Sequence, residues 1–128
     1  MSKLVLIRGL PGSGKSTMAK KIMDMNPDKE YIHYENDMFL YENGQYVWTP
    51  RKFKVARNLC YIGTVDALNR GMNVIVTNCF LTKKSLNRYA KLVHEMDLTI
   101  IEAKGNYTSI HNVPEKMINK MREIYEPI

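Results

Sequence analysis

Apolar positions fall in short blocks along this chain, each block followed by a longer stretch of helical spacing. Leu4, Val5, Leu6 and Ile7 form an unbroken apolar run between Lys3 and Arg8, the pattern of a strand covered on both faces in a parallel sheet. A glycine-rich turn follows at once. From Lys15 to Met25 the apolar Met18, Ile22 and Met25 recur at helical spacing, and Asn26-Pro27-Asp28 closes the segment. Tyr31 to Tyr34 reads as a second strand ending at Glu35-Asn36-Asp37. Glu42-Asn43-Gly44-Gln45 is a turn signal between aromatic flanks, which predicts a surface loop or small hairpin.

Thr49-Pro50 has the cap and first-turn pattern that opens a helix. Its expected buried stripe is Phe53, Ala56, Leu59, Cys60, Gly63, Ala67 and Leu68, with Gly71 as the C-terminal cap. Residues 74–76 form a third buried strand and 98–101 a fourth. Between them Thr82 opens a helix with Leu86, Tyr89, Ala90, Val93 and Met96 on one face. Pro114 stands at the first position of a last helix, striped by Met117, Ile118, Met121, Ile124 and Tyr125. Strands alternating with helices predict an α/β fold of about four parallel strands with helices on both faces, a three-layer sandwich. The 128 residues match one domain, 1–128.

Lys plus Arg number 19 and Asp plus Glu 13, a net +6 that favours an anionic ligand: nucleotide, phosphorylated substrate or nucleic acid. No apolar run approaches the roughly 18–20 residues of a membrane span, and the first run is too short for a signal peptide. A cytoplasmic protein with no membrane partner is expected. Cys60 and Cys79 read as reduced, buried apolar residues, and the nine Met residues as core filling. His33 reads as packed and hydrogen-bonded, and His94 as a surface residue.

Gly9-Leu10-Pro11-Gly12-Ser13-Gly14-Lys15-Ser16-Thr17 satisfies G-x-x-x-x-G-K-[ST] between a buried strand and an amphipathic helix. Its glycines let successive backbone N–H groups turn onto phosphates, and the helix N-terminus adds partial positive charge. Lys15 is expected to reach the β- and γ-phosphates, Ser16 to ligate Mg²⁺ and Thr17 to contact the α-phosphate. ATP or GTP with Mg²⁺ is the ligand this implies. No His/Cys/Asp cluster has metal-ligand spacing, so the metal expected is the nucleotide's own. The strand at 74–76 is followed by Thr77-Asn78 rather than an Asp, and no Asn-Lys-x-Asp signature occurs, so a GTPase switch is disfavoured. A motor ATPase needs more chain. A compact phosphoryl-transfer enzyme is left.

The segment from Arg8 to Thr17, with Asn36-Asp37, Gly44-Gln45-Tyr46, residues 71–78 and Val113-Pro114 through Tyr125, resembles the polynucleotide-kinase-like group of P-loop kinases over nearly the whole chain. The resemblance implies a P-loop kinase-like fold, ATP and Mg²⁺, and a hydroxyl acceptor, foremost the 5′-hydroxyl of a nucleic acid or nucleotide. It places an acidic pair after the second strand beside that acceptor. Here the pair is Asn36-Asp37; an amide is no proton acceptor, so the general base is Asp37 or Glu35. Of the family's Asp-containing third-strand motif only Asn78 is retained, following Thr77. The arginine-bearing lid is replaced by a shorter run from Lys104 to His111, in which Lys104 or His111 would stand in for the arginines.

Arg51, Lys52, Lys54 and Arg57, preceded by Tyr46 and Trp48, lie where the resembling kinases hold the acceptor, which implies phosphate tracking and base stacking. The departures keep two alternatives open: an ATP-binding module acting as sensor or interaction protein, and a small-molecule nucleoside or nucleotide kinase.

Overall fold

A computed structural model describes residues 2–107 and 113–128. Six strands and four α-helices follow one another as β1 (Leu4–Arg8), α1 (Lys15–Met25), β2 (Tyr31–Tyr34), β3 (Tyr41–Glu42), β4 (Gln45–Tyr46), α2 (Pro50–Asn69), β5 (Asn73–Thr77), α3 (Lys83–Ala90), β6 (Leu98–Glu102) and α4 (Glu115–Ile124). A 3-10 turn, Asn36–Leu40, separates β2 from the β3–β4 hairpin. Four parallel strands form the sheet in the order β2-β5-β1-β6. This is the predicted α/β three-layer fold.

Alternation along β1 and β5 divides the core. Leu4, Leu6, Val74 and Val76 face α2 and α3, meeting Cys60, Ala67, Leu86 and Tyr89, while Val5, Ile7 and Ile75 face Ala19 of α1 and Ala103. The α2 residues facing the sheet are small: Ala56, Cys60, Thr64 and Ala67 are all buried, so the helix lies close. At Gly63 a Cβ would come within 2.8 Å of the Tyr34 ring. Thr49 caps α2 by accepting from the Lys52 amide, Pro50 opens it, and Gly71 follows its C-terminus at φ +81°, each as the sequence predicts.

Several expectations are corrected. Leu59 does not join the α2 stripe but is exposed, as are Val55 and Ile62 beside it. The helix opened by Thr82 ends at Ala90, because the chain must turn back to enter β6; Met96 lies in a separate 3-10 turn, exposed. Pro114 caps α4 rather than occupying its first turn. No methionine belongs to the buried core of the described residues, so the Met-filled core is not found; Met18, Met23 and Met72 pack only at its margin. Cys60 is fully buried, Cys79 only half so, and both are free thiols.

Arg8 is the larger departure. Read from sequence as the polar end of the first strand, it is 1% exposed within β1. Its guanidinium donates from Nε and Nη2 to the Phe80 carbonyl at 3.1 and 2.7 Å, and stands 4.1 Å over the Tyr125 ring. Nη1 lies 3.9 Å from the Glu102 carboxylate, which accepts a 2.7 Å bond from Tyr125. One side chain thereby ties α4 to the sheet and holds Phe80, whose φ of 45° is rare for a residue with a side chain. Arg8→Leu leaves the buried Phe80 carbonyl without its donor and the half-buried Glu102 carboxylate without its cation. A loss of about 3 kcal/mol is expected, or about 10 °C in Tm, checked by thermal melting.

Candidate functional site

The carboxyl ends of the parallel strands open into one large cleft of about 1680 Å³, the place where ligands bind in open α/β sheets. Its floor is the turn between β1 and α1. Gly12 and Gly14 take φ values of +79° and +93°, left-handed conformations that only glycine adopts at no cost, and they wrap the loop around the α1 N-terminus. At Gly9 a Cβ would lie 2.7 Å from the Ala103 carbonyl oxygen, so this loop end fits against the β6 exit only without a side chain. The Lys15 ammonium folds back over the loop and donates to the Gly9 and Leu10 carbonyls, both at 3.0 Å.

Parallel register fixes the next layer. Ile7 pairs with Thr77 and Tyr34 with Val76, so the ends of β1, β5 and β2 lie side by side. Glu35 and Ser16, 19 positions apart, meet there: the Ser16 hydroxyl donates to Glu35 Oε2 at 3.1 Å, and the Thr77 hydroxyl donates to the same oxygen at 2.9 Å. His33 Nε2 lies 2.6 Å from Thr77 Oγ1, and burial keeps the imidazole pKa below its ordinary value against the opposing Glu35 charge. Asn78 accepts the Asn36 amide at 2.9 Å and so pins the turn that carries the next carboxylate. Asp37 Oδ1 accepts from the Tyr46 hydroxyl at 3.1 Å. Burial, then the Asp37 charge, pushes the Tyr46 phenol well above its ordinary range, which keeps it a donor.

Of the residues singled out from sequence, Pro11, Gly12, Gly14, Lys15, Ser16, Thr17, Asn36, Asp37, Arg57 and Asn78 line this cleft. Gly9 lies beneath it, and Ser13 is buried with a hydroxyl that has no partner among the described residues. Arg51 and Lys52 are not in the lining: Lys52 pairs with Glu42 of the hairpin, and the helical turn carries Arg51 away from the side that presents Arg57. Trp48 stands at the mouth, 6.1 Å from the Phe53 ring. Lys104 pairs with Glu102 rather than facing the cleft, and His111 lies outside the described residues.

Three further stretches line or border the cleft to which sequence reasoning gave little or no weight. Tyr107 donates its amide to the Gly12 carbonyl at 2.7 Å and rests its ring against Gly14. Met117 and Met121 of α4 form an apolar wall. Lys84 and Arg88 of α3 face the cleft, with Arg88 4.1 Å over the Tyr61 ring. The Met spacing points equally to a core, and Lys84 with Arg88 reads from sequence as a basic cluster of less weight than that opening α2. Among the described residues no cluster of three His, Cys, Asp or Glu could hold a metal by itself, and no helix is long and apolar enough to cross a membrane.

A family model described as an AAA domain, AAA_33, matches residues 4–104. An uncharacterized protein of Pasteurella multocida (strain Pm70) is 44% identical over 73 residues, which cover 54% of this chain and 41% of that protein. Among solved structures, a chain of the Pnkp1/Rnl/Hen1 complex superposes with a TM-score of 0.65 at 21% identity, covering 93% of this chain and 38% of that one. A gluconokinase from Sinorhizobium meliloti 1021 superposes at 0.62 with 14% identity, covering 98% and 75%. The chain thus spans less than half of the Pasteurella relative and of the Pnkp1-complex chain. With the family model running from β1 through the exit of β6, the chain belongs to this AAA domain family, and it shares its fold with the Pnkp1-complex chain and the gluconokinase.

Proposed function

We propose that the protein is an ATP-dependent kinase that transfers the γ-phosphate to a hydroxyl, foremost the 5′-hydroxyl of a nucleic acid or nucleotide. The observation that carries this reading is the continuity of the cleft, in which the phosphate loop, Asp37, Trp48 and Arg57 line a single space. The loop fits a triphosphate: its left-handed glycines free backbone N–H groups for phosphate oxygens, and the Lys15 ammonium already seeks oxygen ligands there. It also fits Mg²⁺, since the Ser16 hydroxyl stands beside a carboxylate. Ser16 would hold the ion, which when bound neutralises charge on the β- and γ-phosphates.

Asp37 then accepts the proton of the acceptor hydroxyl as its oxygen bonds to the γ-phosphorus and the bond to the β-phosphate oxygen breaks, releasing ADP. Tyr46 holds the carboxylate in place through its hydrogen bond. Arg57 tracks acceptor phosphate, and Trp48 offers a ring for a base. The resemblance to kinases of different acceptors, the Pnkp1 complex on one side and a gluconokinase on the other, supports phosphoryl transfer more strongly than any one acceptor. A second reading, an ATP-binding module with little transfer, draws support from Asn36, an amide where the family resemblance implies an acid.

Incubation with γ-labelled ATP-Mg²⁺ and a panel of 5′-hydroxyl oligonucleotides, nucleosides and nucleoside monophosphates tests these. Label is expected in the oligonucleotides. Label confined to small acceptors makes the protein a nucleoside or nucleotide kinase, and bound ATP with no transfer leaves the binding module.

A further inference from the structure

We propose that Glu35 completes the divalent-cation site beside Ser16, supplying from the end of β2 the carboxylate that other P-loop proteins supply from the end of the strand beside β1. The inference rests on the reading that the loop holds a metal–nucleotide complex. In P-loop NTPases the ion is held by the loop Ser or Thr together with an Asp of the Walker B strand. Here β1 lies between β5 and β6: the residue level with Ile7 at the end of β5 is Thr77, a neutral hydroxyl 1% exposed, and Glu102 at the end of β6 is taken up by Tyr125 and Arg8 outside the cleft lining. The carboxylate arrives from the next strand over.

The hydrogen bonds show how it is held. Thr77 has one hydroxyl proton and donates it to Glu35 Oε2 at 2.9 Å, so the 2.6 Å contact with His33 must be made by an imidazole Nε2–H donating to Thr77 Oγ1. His33, Thr77 and Glu35 thus form one directed chain that ends on the oxygen shared with Ser16. The Ser16 Oγ to Glu35 Oε2 separation is 3.1 Å. Two oxygens on adjacent vertices of an octahedron with metal distances of about 2.1 Å are about 3.0 Å apart, so once the Ser16 hydroxyl keeps its proton but turns it toward another acceptor, an ion would meet both oxygens with almost no movement. Asp37 is engaged elsewhere, by Tyr46, which separates the two carboxylates into a metal-holding group and a proton-accepting one. Among the described residues no group of three His, Cys, Asp or Glu stands here, and the proposal gives the ion's other positions to nucleotide and water oxygens, the manner in which Mg²⁺ binds.

The test is Mn²⁺ binding to the protein–ATP complex, followed by electron paramagnetic resonance, in wild type, E35Q and E35Q/T77D, with metal-free ATP affinity measured alongside. Gln keeps an oxygen to accept both hydroxyls, so the fold is retained. E35Q is expected to weaken Mn²⁺ binding about 10–100-fold, a loss typical of a group that sets a metal site, with metal-free ATP affinity unchanged. T77D, placing an acid at the end of β5 beside the His33 donor, is expected to bring Mn²⁺ affinity back. Unchanged Mn²⁺ affinity in E35Q overturns the inference, as does an equal loss of ATP affinity with and without metal, which marks a structural role. If wild type binds ATP with no metal dependence, or not at all, the underlying nucleotide reading fails, and this inference with it.

Discussion

Lys15→Ala is expected to weaken ATP binding about 100-fold and to reduce phosphoryl transfer by a further factor of about 10²–10³. Two charge-assisted hydrogen bonds to phosphate, each at the low end of about 1.5–3 kcal/mol, account for the first figure. Charge that grows on the transferred group accounts for the second, since a fixed cation is most effective where charge develops. Lys15 donates to the Gly9 and Leu10 carbonyls, and loop carbonyls of this kind can turn to water when the ammonium is removed. Folding is therefore expected to survive, with Tm within a few degrees of wild type. Isothermal titration with ATP-Mg²⁺ and a thermal melt check both halves. ATP affinity and transfer untouched by Lys15→Ala would sink the kinase reading.

Asp37→Asn is expected to lower kcat by about 10²–10⁴ while leaving ATP affinity within about threefold, because the change removes proton acceptance and nothing that contacts phosphate. The substitution is well suited to the question. The Asn oxygen can still accept the Tyr46 hydroxyl that now bonds Asp37 Oδ1 at 3.1 Å, so side-chain position is conserved and only basicity is lost. Burst and steady-state measurements with an oligonucleotide acceptor separate the chemical step from binding. Full activity in Asp37→Asn excludes it as base and leaves Glu35 as the remaining carboxylate. E35Q should differ from Asp37→Asn in kind: its loss follows metal concentration, whereas the Asp37→Asn loss persists at saturating metal.

How legible this site is from sequence differs from residue to residue. The P-loop residues are contiguous, and their geometry is local: a glycine at φ +93° capping α1 is dictated by its neighbours in the chain. The four sheet strands are legible for the same reason, since each is a short apolar block whose period shows in a window of a few residues. Asp37 is visible only through its place after β2, and the sequence offers Glu35 as an alternative to it. The contact that distinguishes the two comes from Ser16 and Thr77, one 19 and the other 42 positions from Glu35. Composition is least informative where two environments use the same residues. The spacing of Met117 and Met121 is that of a core stripe, yet they line a cleft; Arg8 has the charge of a strand end, yet among the described residues it is the most deeply buried cation.

The sequence by itself therefore determined the α/β class, the strand and helix order, and the loop that can cradle a phosphate, because each depends on interactions within a few residues. Which carboxylate stands beside Ser16, which of the basic residues of α2 reaches the cleft, and where Arg8 finds its partners were decided only by the tertiary structure. Strand order is the physical reason. Placing β5 between β1 and β2 brings Glu35 to Ser16 across Thr77, and β6 with α4 encloses Arg8; such neighbours are set by sheet register and helix packing, which no local period encodes.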